Sequence, residues 1–223
     1  MKIALINGSP KANGSVSGLI LQSLQERLSA HQDQQEGGLC DAFHFNKPQI
    51  SQQDLAQLAA CDTLVFAFPL YVDGIPSHLL RCLSQMEDYL KLPLMANKEM
   101  RAYAIVNCGF YDGLQTKTAL DMMRNWCAKT GLCWGCGLGI GGGGMQASIN
   151  NIPDAHRMKR RYSEAMNNMA NCIVNGCTAE ADNAFIDPPI PRIAYQIGGA
   201  MGWRQQIKAN GLKAKDLSRR IYR

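Results

Sequence analysis

Long apolar runs are the first thing missing from this 223-residue chain. No stretch approaches the roughly 18–20 apolar residues of a membrane-spanning helix, so no integral membrane segment is expected. Met1-Lys2 is followed only by Ile3-Ala4-Leu5-Ile6 before the turn residues Asn7-Gly8-Ser9-Pro10. That run is too short for a signal-peptide core, and an uncleaved, cytoplasmic protein is expected. The signatures of several chemistries are missing too. None of His31, His44, His78 and His156 lies four residues from another, and none sits in a His-Glu-x-x-His pattern, so no metal is expected. There is no Gly-x-Ser-x-Gly elbow, hence no hydrolase nucleophile of that kind. No recognised nucleic-acid-binding module occurs, and no nucleic-acid partner is expected.

Charged residues make up 18% against 46% hydrophobic, and nothing in the chain reads as collagen, disorder or a repeat array. The net charge of +5 is unevenly spread. Residues 191–223 hold eight Lys/Arg against one Asp, giving +7, so the other 190 residues carry −2. The nine cysteines are odd in number, and Cys40, Cys61, Cys82, Cys127 and Cys172 sit beside apolar residues. They read as thiols packed as small apolar side chains in a reducing compartment.

What is present is an alternation of short apolar strands and helices in a length suited to one sizeable core. Strands are expected at Lys2–Asn7, Leu39–Phe45, Thr63–Phe68, Arg101–Asn107 and Leu132–Leu138. A helix capped by Ser15 carries Val16, Leu19, Ile20, Leu24 and Leu28 at helical spacing. A polar loop, Gln32–Gly38, follows it. Further helices are expected at Ser51–Ala60, Pro76–Leu90, Thr116–Lys129 (stopped by Gly131) and Ile152–Val174 (stopped by Gly176). Five strands with helices between them describe an α/β protein with a parallel sheet covered on both faces. In such folds ligands bind beyond the carboxyl ends of the strands, where the strand order reverses.

Three loops follow such strand ends. Gly8-Ser9-Pro10-Lys11-Ala12-Asn13-Gly14-Ser15 leads from the first strand to a helix N-terminus, where hydroxyls and free amides suit an anion. It is neither a P-loop nor a Gly-x-Gly-x-x-Gly fingerprint; read without a ligand, it is a Gly/Pro turn. Pro69-Leu70-Tyr71-Val72-Asp73-Gly74-Ile75-Pro76 sets an aromatic side chain in a Gly/Pro-rich loop, fit either to lie against a flat ring or simply to pack. Asn107-Cys108-Gly109-Phe110-Tyr111-Asp112-Gly113 has the same character. The run Gly141–Gly144 permits close backbone approach or forms a flexible turn. The Cys133-Trp134-Gly135-Cys136 pair lies within a strand and reads as structural. His78, just after the second loop, could approach a bound ligand, but reads rather as a helix-surface or packing residue.

Together these segments, "NGSPKANGS", "FPLYVDGIPSHLLRCL" and "VNCGFYDG", resemble the flavodoxin-like NAD(P)H-dependent FMN oxidoreductases over roughly residues 1–175. The resemblance implies a flavodoxin-like sheet of order 2-1-3-4-5. It implies an FMN-binding domain at residues 1–176, with a linker and basic helical tail at 177–223. It implies FMN phosphate at Ser9, Lys11, Asn13, Ser15, Val16 and Ser17. The isoalloxazine would be bordered by Pro69, Leu70, Tyr71, Val72, Asp73 and Gly74, with Asn107, Cys108, Gly109, Phe110 and Gly113 contributed by the third loop. NADPH or NADH would be the electron donor, a quinone, flavin or similar small molecule the acceptor, and a homodimer or homotetramer the assembly. No catalytic side chain is assigned. The first loop departs from the family in carrying Lys11 for an arginine and Gly14-Ser15-Val16-Ser17 for a Ser-Asn-Thr ending. The closely spaced cysteines of an iron–sulfur branch do not occur.

Two other readings stay open: an electron-carrier flavodoxin, disfavoured because the body is only −2, and a flavin-free binding protein on the same fold. Beyond Asp187-Pro188-Pro189-Ile190-Pro191, a helix is expected from Ile193 to Asn210, followed by Lys213, Lys215, Arg219, Arg220 and Arg223. This tail reads as packing on a partner subunit, as touching an anionic membrane surface, or as attracting a phosphorylated cosubstrate or acidic partner; the first is favoured.

Overall fold

The structure is a computed structural model describing residues 1–32, 40–92, 98–177 and 183–219. Most of the polar loop Gln32–Gly38, the first residue of the expected second strand (Leu39), and Arg220 and Arg223 lie outside the described residues.

The chain runs β1 (Ile3–Asn7), α1 (Val16–Gln32), β2 (Cys40–His44), α2 (Gln52–Ala59), β3 (Thr63–Pro69), α3 (Ser77–Leu90), β4 (Arg101–Asn107), α4 (Lys117–Thr130), β5 (Cys133–Ile140), α5 (Gln146–Asn150), α6 (Arg160–Asn175), β6 (Ala184–Ile186) and α7 (Arg192–Ala209). All six strands join one parallel sheet in the order β2-β1-β3-β4-β5-β6. The expected five-strand order is therefore extended by one edge strand. β6 escapes sequence reading because it is three residues long, its apolar signal confined to Ala184-Phe185-Ile186.

The sheet is buried on both faces. Ala4, Ile6, Leu64, Phe66, Phe68, Ala102, Ala104 and Val106 pack with α2, α3 and α4. Ile3, Leu5, Val65, Ala67, Tyr103 and Ile105 pack with α1 and α6. This period-two division accounts for the continuous apolar runs of β1, β3 and β4. β5 breaks the alternation. The β4–β5 register shifts between Ala102 and Ala104, so that Gly135 and Cys136 together face Tyr103. Trp134 consequently lies on the α3/α4 face, while Cys136, Leu138 and Ile140 lie on the α1/α6 face.

The expected helix over 152–174 is shorter at its start. Residues 152–159 form turns, and α6 begins at Arg160. Lys159 drives this. Its buried side chain donates from Nζ to the Ile152 carbonyl (2.9 Å) and meets Asp154 Oδ1 at 2.8 Å, folding Pro153–Met158 back on itself. Cys61, Cys82, Cys108, Cys127, Cys133, Cys136, Cys172 and Cys177 are free thiols. No helix among the described residues is long and apolar enough to cross a membrane.

Residues Met1–Asp187 form one compact unit and Pro188–Arg223 a second. In the second, α7 contains no buried residue.

Candidate functional site

The strand order reverses at β1, whose neighbours β2 and β3 lead away on opposite sides. The loops after β1, β3 and β4 leave the same edge of the sheet there. Asn7 ends β1 and organises the first loop. Its Oδ1 accepts from the Ser9 N–H (3.0 Å), and its Nδ2 donates to Ser15 Oγ (3.1 Å). Ser15 Oγ also accepts from the Gly18 N–H (3.0 Å), the N-cap bond that starts α1. Having accepted twice, the Ser15 hydroxyl retains its own proton to donate. Val16 and Ser17, the first helical residues, carry amides that no carbonyl within the helix can reach. Ser9, Ser15 and Ser17 are all buried, whereas Lys11 and Asn13 are exposed. The Ser17 hydroxyl is committed elsewhere: it donates to Asn107 Oδ1 at 2.9 Å.

Two histidines support this loop from outside the sequence motif. His78 Nε2 lies 3.1 Å from the Gly8 carbonyl, and His44 Nε2 lies 3.2 Å from the Ser9 carbonyl. A carbonyl only accepts, so each ring carries its proton on Nε2. The two imidazoles hold consecutive loop carbonyls, so of the surface and packing readings His78 takes the second. Gly8 itself passes tightly between β3 and α3: a Cβ there would lie 2.5 Å from Leu79 Cδ2 and 3.1 Å from Phe68 Cβ. Asn7 and His44 are the residues sequence reasoning missed, and for His78 it missed the partner. Asn7 left a signal, a polar residue closing an apolar strand; the histidines, 35 and 70 residues from their partners, left none.

The second loop is a tight reversal. Tyr71 and Gly74 exchange both backbone hydrogen bonds, Tyr71 N–H to the Gly74 carbonyl (3.1 Å) and Gly74 N–H to the Tyr71 carbonyl (3.0 Å). The two central residues are left-handed, Val72 at φ 48° and Asp73 at φ 55°. That is the turn normally built from Asn-Gly or Asp-Gly. A β-branched valine there is a genuine outlier, and such strain collects at functional sites. Val72 is fully exposed and Tyr71 half exposed. Pro69 closes β3, and the partly buried Leu70 packs against the α3/α4-side core.

The third loop is braced by the glycine run after β5. Gly143 N–H donates to the Cys108 carbonyl (2.7 Å) and Gly142 N–H to the Phe110 carbonyl (2.6 Å). A Cβ on Gly141 would fall 2.1 Å from the Tyr111 carbonyl oxygen and one on Gly143 3.0 Å from that of Cys108, so close approach is the use of these two, while one on Gly144 would meet nothing within 4 Å. Phe110 stands 57% exposed beside Gly109, around which a side chain would meet only open space. Cys108 is buried, with Sγ 3.8 Å from the Phe110 carbonyl and 3.7 Å from that of Asp112. Burial pushes its thiol above the usual range, a backbone hydrogen bond from Phe110 offsets this only in part, and the Asp112 and Asp187 charges add to the rise, so it stays protonated at neutral pH. Gly113 is buried, donating its N–H to Asp187 Oδ1 (2.8 Å).

Asn107 ties the three loops together. Its carbonyl accepts from the Leu70 N–H (2.8 Å), its side chain accepts from Ser17, and the next residue, Cys108, donates its N–H to the Ile140 carbonyl (2.9 Å). The arrangement offers amides and hydroxyls at one place and an exposed tyrosine and phenylalanine at others. It suits an anionic group joined to a flat ring. A cavity of about 390 Å³ also lies between β5, β6 and α6, lined by Cys136, Met169 and Cys172 among others. Its lining has none of the convergent amides of the strand-end loops. The Cys136 thiol there points to Met169 Sδ (3.8 Å) and is kept protonated by burial. Among the described residues, no cluster of His, Cys, Asp and Glu is placed to hold a metal ion.

The model of a family described as having a flavodoxin-like fold matches residues 1–81, which take in the first two loops. Comparison with curated protein sequences gives no match. Among solved structures, an oxidoreductase from Corynebacterium diphtheriae superposes at a TM-score of 0.54 and 14% identity, over 78% of this chain and 98% of that one. An NAD(P)H:quinone oxidoreductase from Methanothermobacter marburgensis superposes at 0.53 and 14% identity, over 78% and 96%. An FMN-dependent NADH-azoreductase from Bacillus anthracis, in complex with FMN, superposes at 0.51 and 14% identity, over 78% and 100%. The chain thus has the flavodoxin-like fold, and it resembles the flavodoxin-like NAD(P)H-dependent FMN oxidoreductases.

Proposed function

We propose that the chain binds FMN across the loops after β1, β3 and β4 and works as an oxidoreductase that takes electrons from NADPH or NADH and reduces a small acceptor such as a quinone or a flavin. The observation that carries this reading is Ser15 Oγ, which accepts from Asn7 and Gly18 and so keeps a proton to donate beside the open amides of Val16 and Ser17. That is a cradle for a phosphate monoester at the positive end of a helix. Ser9 and Lys11 would add a hydroxyl and a cation, and Asn13 an amide side chain. Ser17 would contribute its backbone N–H, its hydroxyl being held by Asn107. Tyr71, Val72 and Phe110 would border the ring, with Asp73, Gly74 and Gly109 giving it backbone polar groups. FMN, when bound, would supply the electron transfer itself, and the protein the binding, orientation and electrostatics. Residues 1–176 would carry this site, residues 177–223 being a linker and basic extension. A cytoplasmic homodimer or homotetramer is the assembly we favour.

The activities of the similar azoreductase and quinone oxidoreductase support a flavin and a nicotinamide here. The visible spectrum of the purified protein, taken before and after anaerobic NADH and NADPH, tests it. Flavin bands that bleach with either nucleotide are expected. Bands that neither nucleotide bleaches would favour an electron carrier. Absence of bands after adding FMN would refute the proposal.

A further inference from the structure

α7 is unlike the other long helices, for it buries nothing. Ile193, Ile197, Met201 and Trp203 are 71%, 57%, 54% and 64% exposed. At helical spacing, Ile193, Ile197, Ala200, Met201, Arg204, Ile207 and Lys208 fall on one half of the helix, with Trp203 at its border. The other half carries Ala194, Tyr195, Gly198, Gly199, Gly202, Gln205, Gln206 and Ala209, with Arg192 at its edge. The large apolar side chains and the cations Arg204 and Lys208 therefore share one face. Gly198, Gly199 and Gly202 weaken the helix without serving close packing, since a Cβ on any of them would meet nothing within 4 Å. Such a helix gains from a surface to lie on.

We infer that α7 is a docking helix for a membrane surface rich in anionic lipid. Charge complementarity selects this occupant. Residues 188–223 hold eight Lys/Arg and one carboxylate, Asp216, giving +7. That carboxylate is occupied locally, accepting from the Lys213 N–H at 2.8 Å. A second copy would bring another tail of +7 against this one, like charge against like. An anionic bilayer has no such conflict: Ile193, Ile197, Met201 and Trp203 enter the interface, and Arg204 and Lys208 extend their stems to reach phosphate. The helix is about 27 Å long, and it would lie in the plane of the surface.

The test uses the full chain with vesicles of phosphatidylcholine alone and with about one-third phosphatidylglycerol, at about 0.1 M salt, where screening reaches about 10 Å. Trp126 and Trp134 are buried, so a change in tryptophan emission reports Trp203. Co-sedimentation and a blue shift with the anionic vesicles alone are expected. R204Q/K208Q should weaken partitioning about 25-fold, about fivefold per cation, and I197S/W203A by about tenfold or more. Both variants should keep the circular dichroism of the core, because α7 contributes no buried residue. Equal behaviour with neutral and anionic vesicles, or binding that I197S/W203A leaves intact, would overturn the inference. So would a lipid-free dimer that I197S/W203A dissociates. None of these readouts depends on FMN, so the inference and the proposed function fail separately.

Discussion

The loop after β1 and the loop after β3 are built on opposite plans. The first is rooted in the protein at both ends, Ser9 and Ser15 buried and held by Asn7, His44 and His78, with Lys11 to Gly14 exposed between them. The second projects into solvent, closed by two backbone hydrogen bonds and carrying a valine in a conformation that favours glycine. An anion is held by many weak dipoles that must already point at it, so its loop tolerates no slack. A flat ring needs an edge and a surface, which a short, stiff reversal supplies even at a conformational cost.

The largest effect should come from breaking the brace that the third loop shares with neither of these. Gly141→Ala would drive a methyl group into the Tyr111 carbonyl. A loss of about 3 kcal/mol in chemical denaturation is expected, with FMN retention lost in the same variant. Next comes the first loop. Ser15→Ala removes the cap on Gly18 and the partner of Asn7 Nδ2. It should cost about 1–2 kcal/mol of stability and weaken FMN binding about tenfold by fluorescence titration. The projecting loop should answer with the opposite sign. Val72→Asn with Asp73→Gly installs the residues its turn prefers, and should raise stability by about 1 kcal/mol while weakening flavin retention. Stabilisation without any loss of flavin would mean that Val72 takes no part in the site.

The smallest effect lies outside all three loops. Asp154 sits between Lys159 and Arg27, at 2.8 Å and 2.7 Å. The Lys159 hydrogen bond first, and then the Arg27 charge, hold its carboxyl below the usual range against a modest burial penalty. A depressed folded value means stability that is present above the unfolded pKa of about 3.9 and lost as pH falls through the folded one. Asp154 is largely exposed, so Asp154→Asn should cost only about 0.5–1 kcal/mol near neutrality. That gap should close as urea midpoints are followed below about pH 4. A pH-independent gap would assign the effect to packing.

Much of this architecture was legible in the chain. β1, β3 and β4 are continuous apolar runs because both sheet faces are covered, and the turn residues after them mark the strand ends. Ser15 announced its own cap. Where reading failed, long-range or local geometry overrode the pattern. The bulge opposite Tyr103 turns Cys136 to the face opposite Trp134, which period-two reading cannot foresee. Lys159 folds the chain back across Pro153, where a proline otherwise reads as a helix start. The roles of His44 and His78 depend on β2 and α3 arriving beside the first loop, and nothing local encodes that.

Asn107 has a thermodynamic consequence. One residue accepts from the first loop's helix and from the second loop, at the root of the third. Occupying the cradle with inorganic phosphate alone would then stiffen the ring edge, so the two halves of a nucleotide would bind cooperatively. Riboflavin affinity should rise when phosphate is present, and amide exchange at Leu70 should slow with phosphate before any flavin is added.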